Sequence, residues 1–246
     1  MSYINQYTLL GMLSKNYTVD IENKLVYKNK AKDKVIVFDE NFNGSSYSEV
    51  NYSYIDNKPS MKNFYKLTEV ISYLPSDYFT NLNKYSREIH QTRNKWNKRI
   101  TIKKELSSID EVLELLDRWV EHSGKKYRFT RHDGYDRNFF RNYYEKYKDI
   151  LDCNFFYLGD KLVGYSIMSP KIGDTYYYII RKVDISVGRN IGEYVDFKTF
   201  ELLNDNNFKI NWGSSSGGVL NYKCTKFPLF SKTTKYFWKV KNEKNI

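Results

Sequence analysis

Residues 153–183 read CNFFYLGDKLVGYSIMSPKIGDTYYYIIRKV. Three runs rich in aromatic and β-branched residues, 153–158, 162–169 and 175–183, are separated by Gly159-Asp160 and Gly173-Asp174. Gly-Asp pairs between such runs suit tight hairpin turns, so the stretch predicts three consecutive antiparallel strands. Working outward, Ser108 and Glu111 form a capping-box pattern ahead of Ile109, Val112, Leu113, Leu116, Trp119 and Val120 at three-and-four spacing, which predicts a helix closed by Gly124. Residues 99–103 (RITIK) alternate like a strand, and 136–148 suit a second helix. After the meander, 191–204 reads as a helix and 208–212 (FKINW) as a strand. A Gly/Ser loop at 213–218, a short helix at 219–226 and a last strand at 236–240 complete the order. The fold class expected is α+β, a mainly antiparallel central sheet flanked by helices.

Upstream, residues 25–28, 34–38 and 50–54 suit short strands in polar loops. Residues 61–73 carry a helical spacing that Pro75 would end, and 77–97 turn helical and basic. The chain has 246 residues, enough for a real core without disulfide staples. Its aromatic content of 17% includes 24 Tyr, so many buried hydroxyls need partners. Net charge is +11, but Lys outnumbers Arg by 30 to 10, and it is the guanidinium fork that matches phosphate geometry. Cys153 and Cys224 are the only cysteines, which fits a reducing, cytoplasmic compartment. No apolar run approaches the roughly 20 residues of a membrane-spanning helix.

The element order from Arg99 onward resembles that of the GNAT (GCN5-related N-acetyltransferase) superfamily, over roughly the last 150 residues. Members carry an R/Q-x-x-G-x-G/A loop between the fourth strand and the next helix. Here the corresponding stretch is Val187-Gly188-Arg189-Asn190-Ile191-Gly192-Glu193-Tyr194, in which Arg189 and Gly192 match and Tyr194 stands where Gly or Ala is expected. The end of the chain is similar to the tandem-GNAT aminoacyltransferases, the phosphatidylglycerol lysyltransferase catalytic domain and the Fem-type enzymes. Asn211-Trp212-Gly213, the Gly/Ser loop, Tyr222-Lys223 and Lys226-Phe227-Pro228 carry that likeness. The resemblance implies a truncated, degenerate N-terminal GNAT-like α/β unit over 1–80 and a GNAT-fold catalytic domain over 81–246. It also implies transfer of an acetyl, acyl or aminoacyl group to an amine, from acetyl-CoA or another acyl-CoA or from an aminoacyl-tRNA, without a metal.

A glycine-containing turn entering a helix offers free N–H groups at the positive end of the helix dipole, a seat for pyrophosphate. The donor would be held by Val183, Ile185, Gly188, Arg189, Asn190, Ile191, Gly192 and Glu193, and Tyr194 would crowd the phosphate. The same stretch equally suits an ordinary strand-to-helix turn. For chemistry the resemblance points to Tyr222 as acid, Lys223 as a charge for the oxyanion or a phosphate, and Ser214 in the Gly/Ser loop; core tyrosine, solvated lysine and solvated loop are the competing readings. Basic residues Arg87, Arg93 and Lys95 with Trp96, and Lys125, Lys126, Arg128 and Arg131 between the two helices, suit an anionic acceptor such as DNA, RNA or anionic lipid, or simply solvated faces.

His90, His122 and His132 have no Cys or carboxylate at ligand spacing, no G-x-S-x-G elbow occurs, and no Walker A loop is present. Metalloenzyme, hydrolase and P-loop kinase readings fall on those grounds. Two alternatives to the general acyltransferase stay open: a phage-type GNAT enzyme modifying DNA bases, and an inactive GNAT-fold module that binds nucleic acid or protein.

Overall fold

A computed structural model of the chain describes residues 17–20, 25–28, 31–127, 134–205, 207–215, 217–227 and 229–242. Among the described residues, eleven strands form one sheet in the order β1-β2-β3-β4-β11-β5-β10-β9-β8-β7-β6. Strands β1 (Tyr17–Asp20), β2 (Leu25–Lys28), β3 (Ala31–Val37) and β4 (Glu49–Ile55) make one flank. Strands β6 (Ile100–Lys103), β7 (Asp152–Leu158), β8 (Lys161–Met168) and β9 (Thr175–Val183) make the other. Between them lie β5 (Tyr65–Leu74), β10 (Phe208–Ser215) and β11 (Phe230–Lys241). Every named pairing is antiparallel except β3 with β4 and β9 with β10. This is the α+β sheet flanked by helices that the sequence predicts.

The meander at 153–183 forms as read, with Gly159 and Gly173 at positive φ in its two turns. Both of its faces are covered. Phe155, Leu162 and Tyr165 pack with Val112, Leu116 and Phe140 of helices α3 (Ile109–Tyr127) and α4 (Gly134–Asn142). Their sequence neighbours Phe156 and Val163 face the opposite side, with Tyr194 and Val195 of α6 (Ile191–Leu202). Alternation along a strand makes this two-sided burial automatic when both parities are apolar. The basic region forms α1 (Leu82–Tyr85) and α2 (Arg87–Trp96), and two further short helices are α5 (Tyr144–Tyr147) and α7 (Gly217–Lys226).

Several local expectations are corrected. The Gly/Ser stretch 213–218 is not a loop, since 213–215 extend β10 and 217–218 open α7. The helix expected over 136–148 is two, α4 and α5, and the strand expected over 236–240 begins at Phe230. Residues 61–73 are not helical: β5 is a strand held between β10 and β11, with Glu69, Val70, Ser72 and Leu74 buried. Leu67, Val70, Ile71 and Leu74 also satisfy helical spacing, but the run Thr68–Ile71 is β-branched at three of four positions and prefers a pleated surface. Gly124 does not end α3, which continues to Tyr127. The capping box is half made: Ser108 Oγ accepts from Asp110 N (3.1 Å), while the Glu111 carboxylate takes the hydroxyl of Tyr157.

Asp184, fully buried after β9, ties three elements together. It accepts from Ser186 N (3.1 Å), pairs with Arg118 Nε of α3 (2.9 Å) and meets Lys161 Nζ of β8 (3.0 Å). Burial alone would raise its pKa, but the hydrogen bonds from Ser186, Lys161 and Arg118 and the charge of Lys161 outweigh it and hold the carboxyl at about 2. A folded pKa below the unfolded one stabilises at neutral pH, and that contribution is lost as pH falls from the unfolded value near 4 through 2. Denaturant unfolding between pH 5 and 2 is expected to show Asp184→Asn with a flatter decline than the parent, by on the order of 2 kcal/mol. Parallel declines would remove Asp184 from the acid response.

Candidate active site

Strands β9 and β10 run parallel but pair only through Lys209↔Thr175, Ile210↔Tyr176 and Asn211↔Tyr177. Beyond that point β10 bulges against β5 between Asn211 and Ser214. Gly213 adopts φ 68° there and its N–H donates to Asn211 Oδ1 (2.8 Å). The two strands therefore splay. Side chains from β9, α6 and α7 meet beside the splay.

At the centre is Asp196 of α6, with no solvent exposure. Its Oδ1 accepts from the Tyr178 hydroxyl (2.7 Å), and its Oδ2 accepts from Arg181 Nη2 (2.7 Å) and the Tyr222 hydroxyl (2.6 Å). Burial works against the Arg181 charge, but the Asp196 carboxylate more than compensates and the guanidinium stays protonated. Burial, then the charge of Asp196, pushes the Tyr178 and Tyr222 phenols well above their usual range. Both keep their protons and donate them to the carboxylate. Arg181 Nε is buried and has no hydrogen-bond partner among the described residues.

Lys223, the neighbour of Tyr222 on α7, is buried and donates to the Trp212 carbonyl (2.8 Å). Burial first, and the nearby Arg181 charge next among the lowering influences, bring its pKa down to about 8 against the opposing pull of Asp196. Glu69 of β5 lies close enough to favour the charged lysine, and is itself raised by burial. The splay thus gathers a permanent cation and an amine whose pKa burial lowers to about 8.

Gly192 also clears space for an internal contact. A Cβ at this position would stand 2.8 Å from Arg181 Nη2. The missing side chain lets the guanidinium approach the first turn of α6. Tyr194 does not crowd the loop: its ring is buried against Phe156 (centroids 6.4 Å), and its hydroxyl donates to Asn97 Oδ1 at 3.5 Å.

The other donor-site candidates divide between core and surface. Val183 and Ile191 are core residues, and Ile185 is partly exposed in the 3-10 turn Ile185–Val187. A Cβ at Gly188 would stand 3.3 Å from the Trp96 ring. Arg189 and Asn190 line a cleft of about 550 Å3 with Glu88, Gln91, Thr92 and Lys95. Glu193 shares Lys226 with Glu88. Trp96 is a correction: its indole is fully buried, between Gly188 and the cations Lys95 and Arg99, and offers no face to a base. Arg87 is exposed, and Arg93 borders a separate cleft with His90 and Lys84. Lys125 and Lys126 lie on the last turn of α3 and Ser214 opposite Glu69, but their side chains fall outside the description; Arg128 and Arg131 lie outside the described residues. Among the described residues no group of three or more His, Cys, Asp or Glu could hold a metal ion.

Sequence reasoning missed Arg181, Asp196 and Tyr178. No clear signal marked them: Arg181 stands beside Lys182, and Asp196 shares its helix with Glu193 and Lys198, so nothing local shows which charges pair inside.

No family model and no curated protein matches the sequence. Solved structures do match. L-PGS from Bacillus licheniformis aligns over 100% of this chain and 91% of its own, at 11% identity and TM-score 0.62. FemX aligns over 76% and 65%, at 11% identity and TM-score 0.50. A tandem GNAT protein from the clavulanic acid biosynthesis pathway aligns over 88% and 77%, at 8% identity and TM-score 0.50. The chain has a GNAT-like fold. The resemblance to tandem-GNAT aminoacyltransferases read from the sequence is borne out at the level of fold.

If Asp196 anchors the site, Asp196→Asn strands Arg181 and is expected to cost about 3 kcal/mol in denaturant unfolding, part of it recovered by adding Arg181→Met. A loss below about 0.5 kcal/mol, the range of ordinary surface substitutions, would show that the cluster does not hold the fold there.

Proposed function

We propose that the chain is an acyl or aminoacyl transferase working in the splay between β9 and β10. The observation that carries this reading is the meeting of a charged Arg181 with an unsatisfied Nε and a buried Lys223 of lowered pKa. An acceptor amine forms the bond to the donor carbonyl carbon, and its proton passes to neutral Lys223 Nζ. Arg181 faces the oxyanion that develops. As the tetrahedral species collapses, the C–S bond of a CoA thioester or the C–O bond of an aminoacyl-tRNA ester breaks and the leaving group takes up the proton. Tyr222 orients Asp196, and through it Arg181, since its own proton is committed to that carboxylate. Positioning supplies much of the rate, with no covalent enzyme intermediate.

The donor binds along the α6 entrance, where Lys95 and Arg189 supply positive charge and Glu88 tempers it. Residues 1–80 serve as the supporting, reduced GNAT-like unit and 81–246 carry the chemistry. No helix among the described residues is long and apolar enough to cross a membrane, and a cytoplasmic enzyme meeting an anionic acceptor fits the net charge of +11. A second reading, a GNAT fold that binds without transferring, draws on the same Tyr222 contact, because a phenol held by Asp196 is poorly placed to serve as an acid.

Native mass spectrometry with acetyl-CoA and, separately, with aminoacylated tRNA identifies the donor; retention of neither favours the binding module. With the donor in hand, the transfer rate is expected to rise with pH through an apparent pKa near 8 and then level, because the neutral form of Lys223 accumulates above that pH. Lys223→Arg keeps the charge but removes the base, so it should lower kcat by about 100-fold or more and abolish the rising limb. A limb unchanged in that variant assigns it to the acceptor amine and takes the base role from Lys223.

A further inference from the structure

Away from the splay, the surface where β4, the segment before β5 and the end of β11 come together holds a cleft of about 670 Å3. Its walls are aromatic. Tyr52 and Trp238, opposite each other across the β4–β11 pair, stack nearly parallel, with ring centroids 4.8 Å apart at 8°. Phe64 and Tyr65 also line it, and Tyr65 is 80% exposed, the most exposed of the large apolar side chains among the described residues. Lysines rim it. Lys62 and Lys239 line the cleft, and Lys58 Nζ sits 5.7 Å above the Phe64 ring. Lys239 pairs with Glu49 of β4, which Asn51 also engages, so Lys62 and Lys58 are the rim ammonium groups left for a ligand's phosphates.

We propose that this cleft binds unpaired bases of a single-stranded nucleic acid. Flat aromatic faces accept any base by stacking, whereas ammonium groups at the rim meet the phosphates that run beside the bases. A duplex keeps its base faces inside its own stack, so the cleft selects single strands. A neutral sugar would also stack on aromatic rings, but its hydroxyls call for carboxylates to receive them, and no Asp or Glu lines the cleft among the described residues. The cleft uses none of the residues assigned to transfer, so this proposal stands or falls apart from the transferase reading.

The test is fluorescence anisotropy of the full chain with a labelled oligo-uridine, a labelled hairpin duplex and a labelled neutral oligosaccharide, across a range of salt. Tyr65→Ala removes a side chain that is 80% exposed and is expected to weaken single-strand binding about tenfold. Lys62→Gln is expected to reduce the slope of log affinity against log salt by about 0.7. Circular dichroism of both variants should match the parent. Single-strand binding that is unaltered in both variants, equal binding to the duplex, or preference for the oligosaccharide each overturns the proposal.

Discussion

A carboxylate cut off from water must be met by donors, and in this protein the requirement falls on Asp196. Its three partners come from two strand positions on β9 and one on α7, so meeting it fixes where α6 and α7 lie against the splayed strands. Gly192 follows from the same requirement, since any side chain there would push the guanidinium away. The loop motif that looks like a phosphate seat is also the clearance for an internal ion pair. One glycine serves the local turn and the long-range contact together.

The second organising feature is β5. A strand from the first third of the chain lies between β10 and β11, both from the last sixth, and completes the centre of the sheet. It brings Glu69 to the floor of the splay beside Asn211 (3.5 Å), within electrostatic reach of Lys223. The electrostatics of the site thus depend on both ends of the chain. Buried amines in such surroundings lose part of their charge preference, which is what lowers the Lys223 pKa to about 8.

The reading of the sequence succeeded where the signal was local and failed where it was shared between distant segments. The meander at 153–183 was legible because two Gly-Asp turns delimit runs too short for helices. Tyr222 and Lys223 were reached through resemblance, and they do lie beside the splay. Trp96 was read as a stacking surface because a sequence does not reveal which side of a basic helix carries its aromatic inward. Residues 61–73 misled because apolar positions at three and four apart coincide with a period-two pattern when the intervening residues are β-branched.

By itself, then, the sequence determined the order of the elements from Arg99 onward and hence the fold class, since hydrophobic period, turn residues and helix starts act over a few residues. The tertiary structure alone decided that 65–74 would be a strand, because its neighbours on both sides are contributed more than 130 residues later. It alone paired Arg181 with Asp196 across 15 residues and turned Lys223 inward. Those outcomes depend on the desolvation of particular charges, a quantity that exists only after the chain has closed around them.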